Sequence, residues 1–161
     1  MKIVLSRYGV YLKYCFAFVS VLVVGYLQIR NVALAQGSSG QVEVTVSKFR
    51  NQQGTLVCQI FDQPSAFPSN HSGARASVFL PITGSSGTCL FKDLPRGIYA
   101  IAVLHDENNN NKVDTNFLGV PIEGYGVSNN KTYALSAPKW DESSFALMDG
   151  ERKTLSINLR Y

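Results

Sequence analysis

The sequence predicts an all-β protein: a single prealbumin-like or immunoglobulin-like sandwich of about seven strands, preceded by a signal-peptide helix. Three observations predict it. Short apolar runs, several with period-two alternation, recur along the chain between clusters of Gly, Pro, Asn and Ser. No amphipathic helical period of sufficient length lies between those runs, which excludes a βαβ arrangement. Cys58 and Cys89 each fall inside an apolar run, where a disulfide would staple two strands.

The N-terminus reads as an address. Lys2, Arg7 and Lys13 supply positive charge, the apolar run Cys15 to Leu27 follows, and Ala33-Leu34-Ala35 is a small-x-small cleavage site. That order makes residues 1–35 a signal peptide. Its apolar core is shorter than the ~20 residues of a spanning helix, so the processed chain is expected to be secreted, to the periplasm or outside the cell, with no membrane segment. Cys15 stands at the start of the apolar run rather than just after it, and so does not sit where a lipid-carrying cysteine would. The formal charge of +4 belongs to this segment: its four charged residues, Lys2, Arg7, Lys13 and Arg30, are all basic. Without them 11 of the 15 basic residues remain against 11 acidic ones. The processed chain is neutral and carries no basic stripe, which excludes the footprint of a nucleic-acid binder.

Residues 36–40 (QGSSG) read as a flexible leader and residues 41–161 as one sandwich domain. Val42, Val44 and Val46 alternate with polar residues in a half-buried strand. In GTLVCQIFD, Leu56, Cys58 and Ile60 share one face. After a turn-rich stretch at 64–73 come ARASVFLPI, a Gly/Ser turn at 84–87, and TCLFKDL. GIYAIAVLHD is apolar on both faces and is expected to be central, with Ala100 and Ala102 packing close against the opposing sheet. FALM and KTLSINLRY supply the last two strands. In an oxidising compartment the surviving pair, Cys58 and Cys89, favours a disulfide, and neither has the CxxC spacing of a redox or zinc site.

The stretch from Asp106 to about Tyr133 is the longest irregular one and the place to look for chemistry. In HDENNNNKVDTN, Asp106, Asn108, Asn110 and Asp114 supply side-chain oxygens at relative positions 1, 3, 5 and 9, and Glu123 is available to join them. A hard cation such as calcium takes several oxygens from one compact turn in this way. Asn111 stands where an EF-hand has glycine, and Phe117 stands where it has glutamate, so any such site is weak. The same side chains close Asx turns without a metal. His105, Asp106 and Glu107 also form an acid/base cluster that a hydrolase would use. Strand alternation sends His105 and Asp106 to opposite faces, however, and no Ser or Cys nucleophile motif accompanies them. His105 therefore reads as a structural histidine at a strand end, hydrogen-bonded to the loop. Tyr125, between two glycines, and Trp140 read as plugs over the sandwich.

The run FKDLPRGIYAIAVLHDENNNNKVDTNFLGVPIEGYGVSNN resembles the core motif of a bacterial secreted family, domain of unknown function 2141. GTLVCQIFDQPSAFPSN upstream and the segment from PKWDESSFAL to INLRY downstream are similar to it as well. Phe91, Leu94, Pro95, Gly97 and Tyr99 also match a looser motif of carboxypeptidase-regulatory-like, transthyretin-like and CnaB-type sandwiches, in which a turn feeds a central strand whose tyrosine packs inward. Members of the family often have a glycine within the asparagine run, where this chain has asparagines only. The resemblance implies the sandwich fold and no activity. The expectation is a secreted, non-enzymatic binding or structural module, calcium-stabilised if the 106–114 loop takes the ion; the alternative is a secreted hydrolase built on His105, Asp106 and Glu107.

Overall fold

The computed structural model describes residues 37–131, 133 and 136–161. The expected signal peptide and its cleavage site after Ala35 lie outside the described residues. The unit Gly37–Tyr161 contains strands β1 (Gly40–Ser47), β2 (Thr55–Phe61), β3 (Ala76–Pro81), β4 (Ser86–Leu94), β5 (Gly97–Asp106), β6 (Gly124–Val127), β7 (Phe145–Leu147) and β8 (Arg152–Asn158), with a one-turn helix α1 (Trp140–Ser143). They form two sheets. The first has the order β4-β1-β8, and the second β3-β2-β5-β6 with β7 paired to the start of β5. All pairings are antiparallel except β1 with β8, which run parallel. The all-β sandwich expected from the sequence is the fold observed.

Period-two alternation builds the core between the sheets. Val42, Val44 and Val46 of β1 are fully buried, with Cys89 and Phe91 of β4 and Ile157 of β8 beside them. Leu56, Cys58 and Ile60 of β2 and Tyr99, Ile101 and Val103 of β5 face them from the second sheet. Cys58 and Cys89 form a disulfide with a Cα–Cα distance of 6.5 Å, joining β2 to β4 and so one sheet to the other. The Tyr99 hydroxyl donates to the Pro95 carbonyl at 2.8 Å, which anchors the turn that feeds β5.

Three expectations change in detail. β5 is central and buried on both faces, but Ala100 and Ala102 do not meet the opposing sheet. They point outward, where Ala100 joins Phe61, Ala66, Phe67 and Val127 in a second cluster, with Ala102, Tyr133 and Trp140 packed against it. Small side chains there admit the Phe67 and Trp140 rings, which meet edge to face at 5.9 Å. Next, the stretch after Asp106 is not wholly irregular, because Gly124–Val127 pairs with β5 as β6. Two glycines hide its alternation. One of them is required: a Cβ on Gly126 would lie 2.7 Å from Ile157 Cγ2, where β6 passes β8. Finally, the leader at 36–40 ends sooner than expected. Gly40 is buried and opens β1, and the Ser38 carbonyl already accepts the Gly150 N–H.

Candidate functional site

β2 begins and β5 ends at one pole of the sandwich, where Thr55 pairs with Asp106, and the segment 106–123 leaves from there. His105 is fully buried, yet its partners lie outside that segment. Its Nε2 is 2.8 Å from the Gln53 carbonyl and its Nδ1 is 2.6 Å from the Tyr161 hydroxyl. A carbonyl can only accept, so Nε2 carries the hydrogen and Nδ1 accepts from tyrosine in the neutral ring. Phe49 and Tyr161 flank the imidazole edge to face. His105 was expected to bond the 106–123 loop, and it is instead tied to the 51–54 turn and to Tyr161. Gly54 makes this approach possible: its φ is +74°, and a Cβ there would collide with the Asp106 carbonyl.

The five oxygen-bearing residues are brought together. Asp106 is fully buried and accepts from the backbone N–H of Asn110 at 3.0 Å and of Asn111 at 2.8 Å, one on each carboxylate oxygen. Asn108 and Asn110 turn their amide groups to Asp114, donating to its two oxygens at 2.6 and 2.9 Å. Glu123, 4% exposed, accepts from Glu107 N–H at 2.9 Å and from Asp114 N–H at 3.0 Å, so it clamps both ends of the turn. Asn109 and Asn111 take the left-handed conformation, which asparagine tolerates better than most residues. Among the described residues no three carboxylate, imidazole or thiolate groups gather as a metal-ligand cluster.

Glu107 points elsewhere. Burial raises its carboxyl, but a hydrogen bond from Asn51 and the Arg50 guanidinium outweigh that and hold it below the usual carboxylate range. Arg50 also lies 4.5 Å above the Tyr161 ring and donates to the Ile122 carbonyl. His105, Asp106 and Glu107 are thus adjacent in sequence and each engaged by a different set of partners. Nothing in the spacing of Arg50, Asn51 and Tyr161 marks them in the sequence; they meet because the β1–β2 connection and the residues after β8 come together at this pole.

Beyond the turn, residues 114–122 fold back on themselves through the Thr115–Pro121 bridge and the Ile122 N–H to Asp114 carbonyl bond. Asn116 Oδ1 accepts from the N–H groups of Leu118 and Val120 and sets the tip. The tip carries Phe117, 95% exposed, and Leu118, 72% exposed. This arm walls a groove of about 410 Å³ on the outer face of the second sheet. Val57, Ala102, Leu104 and Val127 form its floor, Pro68 and His71 one side, and Tyr133 and Pro138 another. Tyr125 is one wall, its hydroxyl held by the Tyr133 carbonyl, and Trp140 plugs the adjoining cluster. The SNN tripeptide at 128–130 fastens the surroundings. Ser128 Oγ accepts Ile101 N–H and donates to the Ser143 carbonyl, Asn129 donates to the Glu142 and Ser144 carbonyls, and Asn130 bonds the β8 edge at Ser156 and Asn158.

A family model described as an uncharacterized protein conserved in bacteria, domain of unknown function 2141, matches residues 44–155, and the chain belongs to that family. No curated protein and no solved structure matches the chain.

Proposed function

We propose that this chain is a secreted, non-enzymatic binding module whose ligand site is the groove on the outer face of the second sheet. One observation carries the reading: a 410 Å³ apolar concavity lies on the sheet face and is walled by a hydrogen-bonded arm that exposes Phe117 and Leu118. Its size falls within the range of small-molecule sites, and exposed apolar patches of this kind mark interaction surfaces. The hydrolase alternative draws little support from the geometry. The imidazole of His105 is buried with both nitrogens engaged, and the Asp106 carboxylate is occupied by two backbone donors. Secretion rests on the N-terminal charge and hydropathy order together with the Cys58–Cys89 disulfide, a bond suited to an oxidising compartment. The test is a ligand screen by thermal shift on the wild type and on a groove-filling Ala102→Phe chain. Stabilisation of the wild type alone is expected; equal shifts in both would refute the groove as the site.

A second reading concerns the arm's base. We propose that calcium joins Asp106, Asn108, Asn110, Asp114 and Glu123, weakly, in the ~0.1–1 mM range of extracellular modules. The convergence of these five residues and the left-handed Asn111 favour it. Binding requires Asn108 and Asn110 to give up their bonds to Asp114 and present amide oxygens. Melting with added calcium against EDTA is the measurement. A rise in Tm that disappears in Asp114→Asn is expected, and no rise at millimolar calcium sinks the reading.

A further inference from the structure

Among the described residues lining the groove there is no Asp, Glu, Lys or Arg, in a chain of which 16% is charged. Gln59, Tyr125 and Tyr133 have their polar groups committed, and the other polar lining residues, Ser69, His71 and Ser136, are exposed. Gln59 Nε2 donates to Ser77 Oγ at 3.0 Å, and its Oε1 meets His71 Nδ1 at 2.5 Å. The phenols of Tyr125 and Tyr133 donate to the Tyr133 carbonyl and to Glu142. A ligand settling on Val57, Ala102, Leu104 and Val127 therefore meets no carboxylate, ammonium or guanidinium, and the uncommitted polar groups of Ser69, His71 and Ser136 belong to exposed residues. A charged ligand would lose its hydration there without compensation, which is the costliest form of burial. An uncharged apolar ligand gains from every contact.

We infer that the groove selects an uncharged, apolar small molecule of the alkyl-chain or fused-ring type, and that the Phe117–Leu118 tip folds over its exposed side. This rests on the binding-module reading and adds the ligand class to it. The tip is suited to the role. Leu118, Gly119 and Val120 already line the groove, Gly119 has a φ of +77°, and the Asn116 cap holds the turn while leaving the side chains free.

The test uses the secreted chain with the neutral fluorophore N-phenyl-1-naphthylamine as probe, displaced by 1-dodecanol or by dodecanoate at neutral pH. Dodecanol should displace the probe at least about ten-fold more effectively than dodecanoate. Ala102→Phe should abolish probe binding, and Leu118→Ser, at an exposed position that the fold does not need, should weaken it severalfold. Equal displacement by dodecanoate would overturn the charge selection while leaving the groove a binding site. No probe or alcohol binding at all would remove the groove reading and this inference with it. Probe binding that survives both substitutions would place the ligand elsewhere. A concentration-dependent dimer seen by sedimentation and lost in Leu118→Ser would make a second copy the occupant and refute the small-molecule assignment.

Discussion

Reducing Cys58–Cys89 should lower the stability of the sandwich by an amount that the topology allows to be worked out. The bond joins β2 to β4 across the core and closes a loop of sequence separation 31. In the chain-entropy description a loop of that length removes about 12 cal/mol/K from the denatured ensemble, or about 3.7 kcal/mol at 25 °C. Unfolding entropy is about 2.1 cal/mol/K per residue, so the Gly37–Tyr161 unit should lose about 14 °C in Tm on reduction. The assay is a pair of circular-dichroism melts, oxidised and fully reduced, with thiol titration confirming two free sulfhydryls from this pair. Urea titrations alongside should show a lower midpoint and a larger m-value, because the reduced denatured chain exposes more surface. Cys58→Ala/Cys89→Ala should lose at least as much, since both residues are fully buried in the core. A fall of less than about 4 °C after complete reduction would refute the reasoning, and would mean that β2 and β4 stay close in the denatured state without the bond.

Asp106→Ala should destabilise by about 2–4 kcal/mol in urea, because it removes a charged acceptor from the N–H groups of Asn110 and Asn111 and unlatches the arm's base. Ser128→Ala should cost about 1–3 kcal/mol by leaving the buried Ile101 N–H without a side-chain partner; an unchanged urea midpoint would count against the SNN clasp. Glu107 has its carboxyl held below the usual range in the fold, so the unfolded chain takes up the proton first. Its contribution is therefore complete at neutral pH and is lost as pH falls through the folded-state value. Glu107→Gln should be less stable than wild type at pH 7 and should converge with it in acid, read from urea midpoints across the acid limb.

The parts of the fold that follow a period were legible in the sequence. Val42, Val44 and Val46 alternate because one face of β1 is buried, and GIYAIAVLHD lacks alternation because both faces of β5 are. The cysteine pair was legible from compartment and placement. β6 was not, because Gly124 and Gly126 answer to close neighbours, Tyr161 and the β8 chain, that are far away in sequence. The loop was half legible: the five oxygen-bearing residues do meet, but spacing alone does not say that Glu123 would be spent on two backbone N–H groups. The groove left no local signal at all. Its floor alternates with core residues on β2 and β5, and its walls come from stretches near 68–71, 113–121 and 133–138 that share no motif.

The burial of β5 on both faces also bears on where function resides. A sandwich needs only one face of each sheet buried, so the apolar outer face of Ala100, Ala102 and Leu104 calls for its own cover. Phe67 and Trp140 cover the half over Ala100, and Ser128 and Asn129 tie α1 in place to hold Trp140 there. Leu104 is 6% exposed at the floor of the groove, which Leu118, Gly119 and Val120 of the arm help to line, while Phe117 at the tip is 95% exposed. Asp106 and Glu123 stiffen the base of that arm by accepting four backbone N–H bonds, and Asp114 by accepting from the Asn108 and Asn110 amides. Under the binding role proposed above, an arm positioned by the buried carboxylates of Asp106 and Glu123, with Phe117 exposed at its tip, would form one side of an interface.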